Sequence, residues 1–314
     1  MLFTLEAVEA QFGDCLILHY GDSDDPKFLV IDGGPKDVYE QRLKPRLQQI
    51  RTRWHPHQAL PIQMLMVSHI DNDHIIGVLR WMQELLAENQ AGQPPSAEIS
   101  TLWHNSFDDI IGNDPNHLVA ALANQVAELP PGAALPAGLD SFSGLVLAQV
   151  KEGRELRNIA KKLHLLINAG FNKRLVRLPQ EGKKTLHWGN GLQLTVLNPN
   201  EDRLKALQDE WDEKLPKLLP AQLQAEVAAY ADRTAANLSS IVVLAETGGK
   251  RMLLTGDGRG DHIIEGLEKA GLKQKEQPLH VDLLKLPHHG SDRNVTLQFF
   301  QQIKIGRASC RERV

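Results

Sequence analysis

Short apolar runs alternate along this chain with longer stretches of helical period, the pattern of a mixed α/β protein. Residues 2–8, 15–20 and 27–31 read as opening strands, and 37–54 as a helix with a basic outer face. Residues 62–67 read as a buried strand and 75–86 as an amphipathic helix, with a further strand over 99–103. Strand patterning returns at 191–197. Residues 238–246 and 250–255 then read as a hairpin across Thr247-Gly248-Gly249. A helix over 262–270, a strand over 281–286 and a helix-like stretch over 295–303 follow. Between these framework elements lie helical insertions at about 107–186 and 200–232. The first contains a Pro/Gly/Ala-rich loop at 129–138 and a charged helical stretch at 149–170.

Metal-ligating side chains collect where the predicted strands end, which is where open α/β sheets bind ligands. The strand over 62–67 runs into Ser68-His69-Ile70-Asp71-Asn72-Asp73-His74-Ile75-Ile76-Gly77. His69, Asp71, Asp73 and His74 cannot share one helix face at this spacing, but a tight loop can aim them in two directions. That suits two cations about 3.5–4 Å apart, with His69 and Asp71 serving one and Asp73 and His74 the other. Asp73 alone would serve equally as a helix cap. Two histidines and two aspartates so close together fit that plainer role poorly.

The same logic recurs twice. Asp257 follows the strand over 250–255 and is suited to bridge two cations. His288 and His289 follow the strand over 281–286. One of them completes the second site and the other holds substrate or gives a proton to the leaving group, and spacing does not say which. Asp32, after the strand over 27–31, reads equally as a turn residue or as the partner that orients a ligand histidine. Lys285 and Ser291 flank the histidine pair as candidates to meet an anionic substrate, and Lys285 reads equally as a strand residue snorkelling to the surface. His104 reads as an exposed loop histidine in preference to one lining the cleft. His55 and His57 read as loop residues, and Arg154 and Arg157 as part of a solvated face.

Composition narrows the class. The 314 residues carry a formal net charge of −4 and are 42% hydrophobic. That disfavours a protein that coats nucleic acid, while leaving a local basic groove open. Cys15 and Cys310 give neither a disulfide framework nor a thiolate metal site. No apolar run is long enough to span a membrane, and residues 1–6 do not read as a signal peptide. The expectation is a cytoplasmic protein with no obvious protein partner. Residues 305–314 read like the translation of a sequencing adapter, so the natural chain is expected to continue past Lys304 with other residues, and Cys310 to be non-native.

The segments Ser68-His69-x-Asp71-x-Asp73-His74, Leu253-Leu254-Thr255-Gly256-Asp257 and Leu284-Lys285-Leu286-Pro287-His288-His289-Gly290-Ser291 resemble, in this order, the metallo-β-lactamase superfamily. They are most similar to the branch that includes the hydrolase domain of the competence protein ComEC. Asp32-Gly33-Gly34 and residues 237–244 sit where that branch has similar elements. The resemblance covers roughly residues 1–105 and 190–300. It implies an αββα four-layer sandwich, a single domain over 1–304 with helical insertions, and metals in a cleft at one edge. It also implies that His69 and Asp71 belong to the first metal, Asp73 and His74 to the second, and Asp257 to both.

Two departures stand out. Asp71 stands where most of the superfamily has histidine, which hardens the first site and moves its preference from Zn²⁺ towards Mn²⁺ or Mg²⁺. The usual further histidine before the strand leading to Asp257 is missing, with Asn237 or Ser239 in that region. The expected activity is hydrolysis by a dinuclear Zn²⁺ or Mn²⁺ centre, with Mg²⁺ as a third option, through a bridging hydroxide that Asp73 orients. A small phosphodiester, a nucleotide or a single-stranded nucleic acid is the favoured substrate. The rivals are a lactone, thioester or β-lactam hydrolase on the same metals, and a metal-binding sensor or interaction module with little turnover.

Overall fold

The computed structural model describes residues 1–106, 141–172, 175–202, 240–275, 277–292 and 294–309, with the side chains of 141–150 and 307–309 left aside. Over these residues the chain is a mixed α/β protein with two six-stranded sheets and one two-stranded sheet. The insertion residues 107–140 and 203–239, with Asn237 and Ser239 among them, lie outside the described residues.

The first sheet begins as an antiparallel meander of β1 (Leu2–Ala7), β2 (Leu16–Gly21) and β3 (Pro26–Ile31). After a π-helical turn, Tyr39–Leu43, comes α1 (Lys44–Trp54). The apolar run expected to be one strand over 62–67 is two, β4 (Leu60–Ile62) and β5 (Met64–Val67). Gln63 divides them. Its backbone N–H donates to Phe28 O at 3.0 Å and its side-chain oxygen accepts from Phe28 N at 2.7 Å, so the chain steps sideways between sheets there. The run over 99–103 divides likewise, at Ser100, into β6 (Ala97–Ile99) and β7 (Thr101–His104). β4 pairs with β6 in the small sheet, and β5 lies parallel between β3 and β7 in the first large one. Between the two pairs runs α2 (Asn72–Gln90). The charged stretch expected at 149–170 is α3 (Ser141–Lys162), followed by the short edge strand β8 (Leu166–Ile167).

The second sheet contains β9 (Lys184–His187), β10 (Gln193–Asn198), β11 (Val242–Thr247) and β12 (Lys250–Leu254) in antiparallel order. The expected hairpin is present, and Gly248 and Gly249 form its turn with φ of +55° and +75°, a conformation that favours glycine. After α4 (Gly260–Lys269), β13 (Leu279–Lys285) adds in parallel. The helix expected over 295–303 is only α5 (Leu297–Gln302). Ile303 then opens β14 (Ile303–Ser309), parallel to β13. The segment read as an appended tail therefore continues this edge strand as far as Ser309. None of the described helices is long and apolar enough to cross a membrane.

Most central strands bury side chains on both faces, which is why they read as continuous apolar runs in place of alternating ones. Leu18, Leu29, Met66 and Trp103 from the first sheet pack with Leu194, Val196, Val243 and Leu254 from the second in one cluster. Ile17, Val30, Leu65 and Leu102, one residue out of phase, pack with Leu43, Ile75, Met82 and Leu156 from the helical segments. On the second sheet Val242, Leu244, Leu253 and Val281 pack with Ile263, Leu267 and Phe299. Each fully buried Leu or Val contributes roughly 1.5–3 kcal/mol of transfer free energy, so both faces of each sheet are anchored.

One close approach aims the helix that follows the His/Asp loop. Gly33 N donates to His74 O at 2.8 Å, and Gly77 N to Gly34 O at 3.0 Å. A Cβ on Gly77 would lie 1.9 Å from Gly33 O, so the first turn of α2 rests directly on the backbone after β3. Gly77→Ala is expected to destabilise the protein by about 3 kcal/mol, because backbone must separate from backbone. Urea unfolding against the parent reads this, and a loss below about 0.5 kcal/mol, the scale of an ordinary surface change, would contradict the tight crossing.

Candidate metal centre

Parallel strands bring their C-terminal ends to one edge, so the residues after β3, β5, β12 and β13 converge. Asp32, His69, Asp257 and His289 sit there, each on a turn leaving a strand. Two hydrogen bonds stitch this edge together. Ile241 N donates to Ser68 O at 2.8 Å across the two sheets, and His288 N donates to Gly256 O at 3.3 Å.

The histidines are oriented by groups behind them. Asp32 is fully buried. It accepts from Ser68 N and from Ser68 Oγ, both at 2.7 Å, and lies 2.9 Å from His74 Nδ1. With its own proton given to Asp32, Ser68 Oγ accepts from His69 Nδ1 at 3.0 Å. Both Nδ1 atoms are thus used, and both Nε2 atoms face the cleft. Asp32 has φ of +58°, which Asp and Asn adopt more readily than most residues.

Asp257 stands between the two rings. Its Oδ2 is 3.7 Å from His69 Nε2, and its Oδ1 is 3.5 Å from His74 Nε2. Asp71 adds an oxygen 3.4 Å from His69 Nε2, and Asp73 one 3.8 Å from His74 Nε2. His289 Nε2 lies 3.5 Å from Asp73 Oδ2 and 3.7 Å from Asp257 Oδ2. His288 is more exposed. Its Nε2 is 3.9 Å from Asp257 Oδ2, and Asn294 Oδ1 lies 3.1 Å from its Nδ1. Since Asn294 Nδ2 donates to Asp257 O, the Asn294 oxygen is the acceptor for that ring. Both histidines of the pair have left-handed backbone, φ of +47° and +54°, a strained geometry that collects at functional turns.

Electrostatics favours added positive charge. Burial alone would raise the Asp257 carboxyl, yet His74, His69 and Lys285 hold it well below the ordinary carboxylate range. Asp73 is likewise held low against its burial by His289 and His74. Conversely, burial would lower His74, but Asp257 and Asp32 hold it well above its usual value. His289 is pushed up to about 9 by Asp14 and Asp73, against its own burial. The cluster therefore draws protons onto His74 and His289 when nothing else neutralises it.

These residues fit a cation. His69 Nε2, His74 Nε2 and Asp257 Oδ1 are buried and have no hydrogen-bond partner among the described residues, a costly state for three converging polar atoms. His69, His74 and Asp257 each offer a ligand atom within 4.8 Å of the others, and so do Asp73, His74 and His289. The His/Asp groups could thus hold a metal ion.

Several placements differ from expectation. Lys285 does not reach the surface. It is buried, ion-paired to Asp14, hydrogen-bonded to Gly256 O at 2.8 Å and 3.6 Å from Asp257 Oδ1. Its charge serves the carboxylates and is not offered to substrate. Ser291 closes the turn, donating its N–H to His288 O. His104 is wholly buried, not an exposed loop histidine, because α3 covers the end of β7. A Cβ on Gly153 would lie 3.3 Å from its Nε2. Burial and Arg157 lower its pKa to about 3, so its ring is neutral. Arg157 donates to His104 O at 3.0 Å.

Asp14 joins the cluster although no strand end or motif in the sequence singles it out. It is buried, with Oδ1 3.5 Å from His289 Nδ1 and Oδ2 3.9 Å from His74 Nδ1. It stands before β2, and the antiparallel register that pairs Leu16 with Ile31 brings the start of β2 beside the end of β3.

Family models and curated proteins were both compared with the chain, and neither yields a match.

Asp32→Asn keeps a side chain suited to the left-handed backbone but removes the anion behind His74. Cation affinity, read by titration calorimetry or competition with a chelator, is expected to fall about 10–100-fold with the fold kept. An unchanged affinity would contradict the orienting role.

Proposed function

We propose that this chain is a metal-dependent hydrolase of phosphodiesters, built as the αββα four-layer sandwich of the metallo-β-lactamase superfamily and closest to its ComEC-like branch. The three apolar clusters, one shared by the sheets and two between sheet and helices, support that architecture. The observation that carries the reading is Asp257, whose two carboxylate oxygens face His69 and His74 separately. A carboxylate divided between two histidine groups is the arrangement for bridging two cations.

In this reading His69, Asp71 and Asp257 hold one cation, and Asp73, His74, His289 and Asp257 the other. The carboxylate-rich donor set favours Mn²⁺ or Mg²⁺ alongside Zn²⁺. Divalent cations bound there supply Lewis acidity, acidifying water and polarising a phosphoryl oxygen.

The chain's own groups do the rest. Asp73, held anionic, accepts a hydrogen bond from the attacking water and fixes its direction. Asp32 and Ser68 keep both histidine rings in one tautomer, so no reorientation is needed as charge develops. The Lys285–Asp14 pair keeps His289 facing inward without adding a mobile charge. His288, with its side chain 44% exposed and its Nδ1 held by Asn294, donates from Nε2 to the leaving-group oxygen when its ring carries a second proton. A net charge of −4 favours a small phosphodiester or a short single strand over tight coating of a polyanion.

Metal-free protein titrated with Mn²⁺, Zn²⁺ or Mg²⁺ is expected to hydrolyse bis(p-nitrophenyl) phosphate in preference to a lactone, and the reverse preference would overturn the substrate class. Asp257→Asn is expected to lower turnover at least about 100-fold and to weaken cation binding, with circular dichroism unchanged. Full activity in that variant would refute the bridging role.

A further inference from the structure

A cavity of about 630 Å³ adjoins the cluster, between α2, α3, the β1–β2 turn and the segment after β3. Its volume lies within the usual range for small-ligand sites. Two of its lining residues belong to the same short segments as the cluster. Asn72 stands between Asp71 and Asp73, and Phe12 precedes Gly13 and Asp14. Asp14 N donates to Asp73 O at 3.3 Å, and a Cβ on Gly13 would lie 1.9 Å from that same oxygen. The Phe12 turn is therefore clamped onto the His/Asp loop, and cavity and cluster share that wall.

The chemistry of the lining is specific. Phe12, Pro35, Ile76 and Leu79 give apolar walls, and Phe12 is half exposed. Asn72 Oδ1 and Glu152 Oε2 are buried oxygens with no hydrogen-bond partner among the described residues, and both residues line the cavity. A flat heteroaromatic ring carrying N–H donors suits apolar walls that include the acceptor side chains of Asn72 and Glu152, where an acyl chain would leave those polar groups unmatched. Lys36 and Arg80, also on the lining, bring positive charge for an attached phosphate.

We propose that this cavity seats the nucleobase of a nucleotide phosphodiester, with a ring of the adenine or cytosine type whose amino edge meets Glu152 and Asn72. This rests on the phosphodiesterase reading and narrows it to nucleotides. A supporting property is that burial and the neighbouring Glu155 raise Glu152 to about 7, against Arg80 and Lys151. A carboxyl protonated near neutrality both donates and accepts, which complements an N–H donor beside a ring nitrogen.

The test uses the full chain. With Mn²⁺ present, the p-nitrophenyl ester of adenosine 5′-monophosphate is compared with methyl p-nitrophenyl phosphate. The adenosine ester is expected to show kcat/KM at least about tenfold higher, expressed in KM. Ile76→Trp, which fills the cavity, and Glu152→Ala, which removes the acid, are each expected to narrow that ratio. Calorimetric binding of adenosine monophosphate to metal-free protein gives a reading independent of turnover, and both variants should weaken it. Equal kcat/KM for the two esters overturns the nucleobase site while leaving the phosphodiesterase reading in place. Turnover of neither ester, with adenosine monophosphate still bound and both variants weakening it, upholds the site and overturns the activity. Absence of adenosine monophosphate binding, or its displacement by octanoate, overturns the site.

Discussion

Asp14, Asp32 and Asp257 are carboxylates buried at one sheet edge beside His69 and His74, with Asp71 and Asp73 at its rim, and this concentration of negative charge must be balanced in place. Lys285 supplies one fixed positive charge, shared between Asp14 and Asp257. The histidines take up more, as the raised values of His74 and His289 record. The buried Nε2 atoms of His69 and His74 still lack partners among the described residues. A divalent cation resolves both problems, because it neutralises carboxylates and occupies those lone pairs, releasing the protons the histidines held.

Much of the fold serves to bring that charge together and keep it still. β3, β5 and β7 end side by side because they run parallel, and the Gly33–Gly77 crossing locks the first turn of α2 onto the end of β3. The second sheet contributes Asp257 and the histidine pair in the same way, at the ends of β12 and β13. Ser68 is the small residue on which both halves meet. Its backbone N–H and hydroxyl donate to Asp32, its Oγ meets His69, and its carbonyl accepts from Ile241 of the other sheet.

The strands and the convergence of the candidate ligand residues were legible because each candidate group follows an apolar run, and an apolar run buried on both faces leaves a plain mark in sequence. The resemblance added an expected order and an expected architecture. Less was legible where geometry depends on partners distant in sequence. Gln63 divides one apolar run between two sheets, and only its contact with Phe28 shows it. Asp14 precedes its strand in place of following one, so no strand end pointed to it, although the register of β2 on β3 carries it to the same sheet edge. His104 and Lys285 were misjudged for the same reason. Their burial comes from α3 and from Asp14, elements far along the chain that no local pattern announces.

The proposed dinuclear centre depends on Asp257 dividing its two oxygens between two histidine groups. Anomalous diffraction from crystals grown with Mn²⁺ would show this. Two peaks are expected in this cleft, one beside His69 and Asp71 and one beside Asp73, His74 and His289, with Asp257 touching both. Mn²⁺ bound only elsewhere, or a cleft without any peak at saturating Mn²⁺, would contradict it.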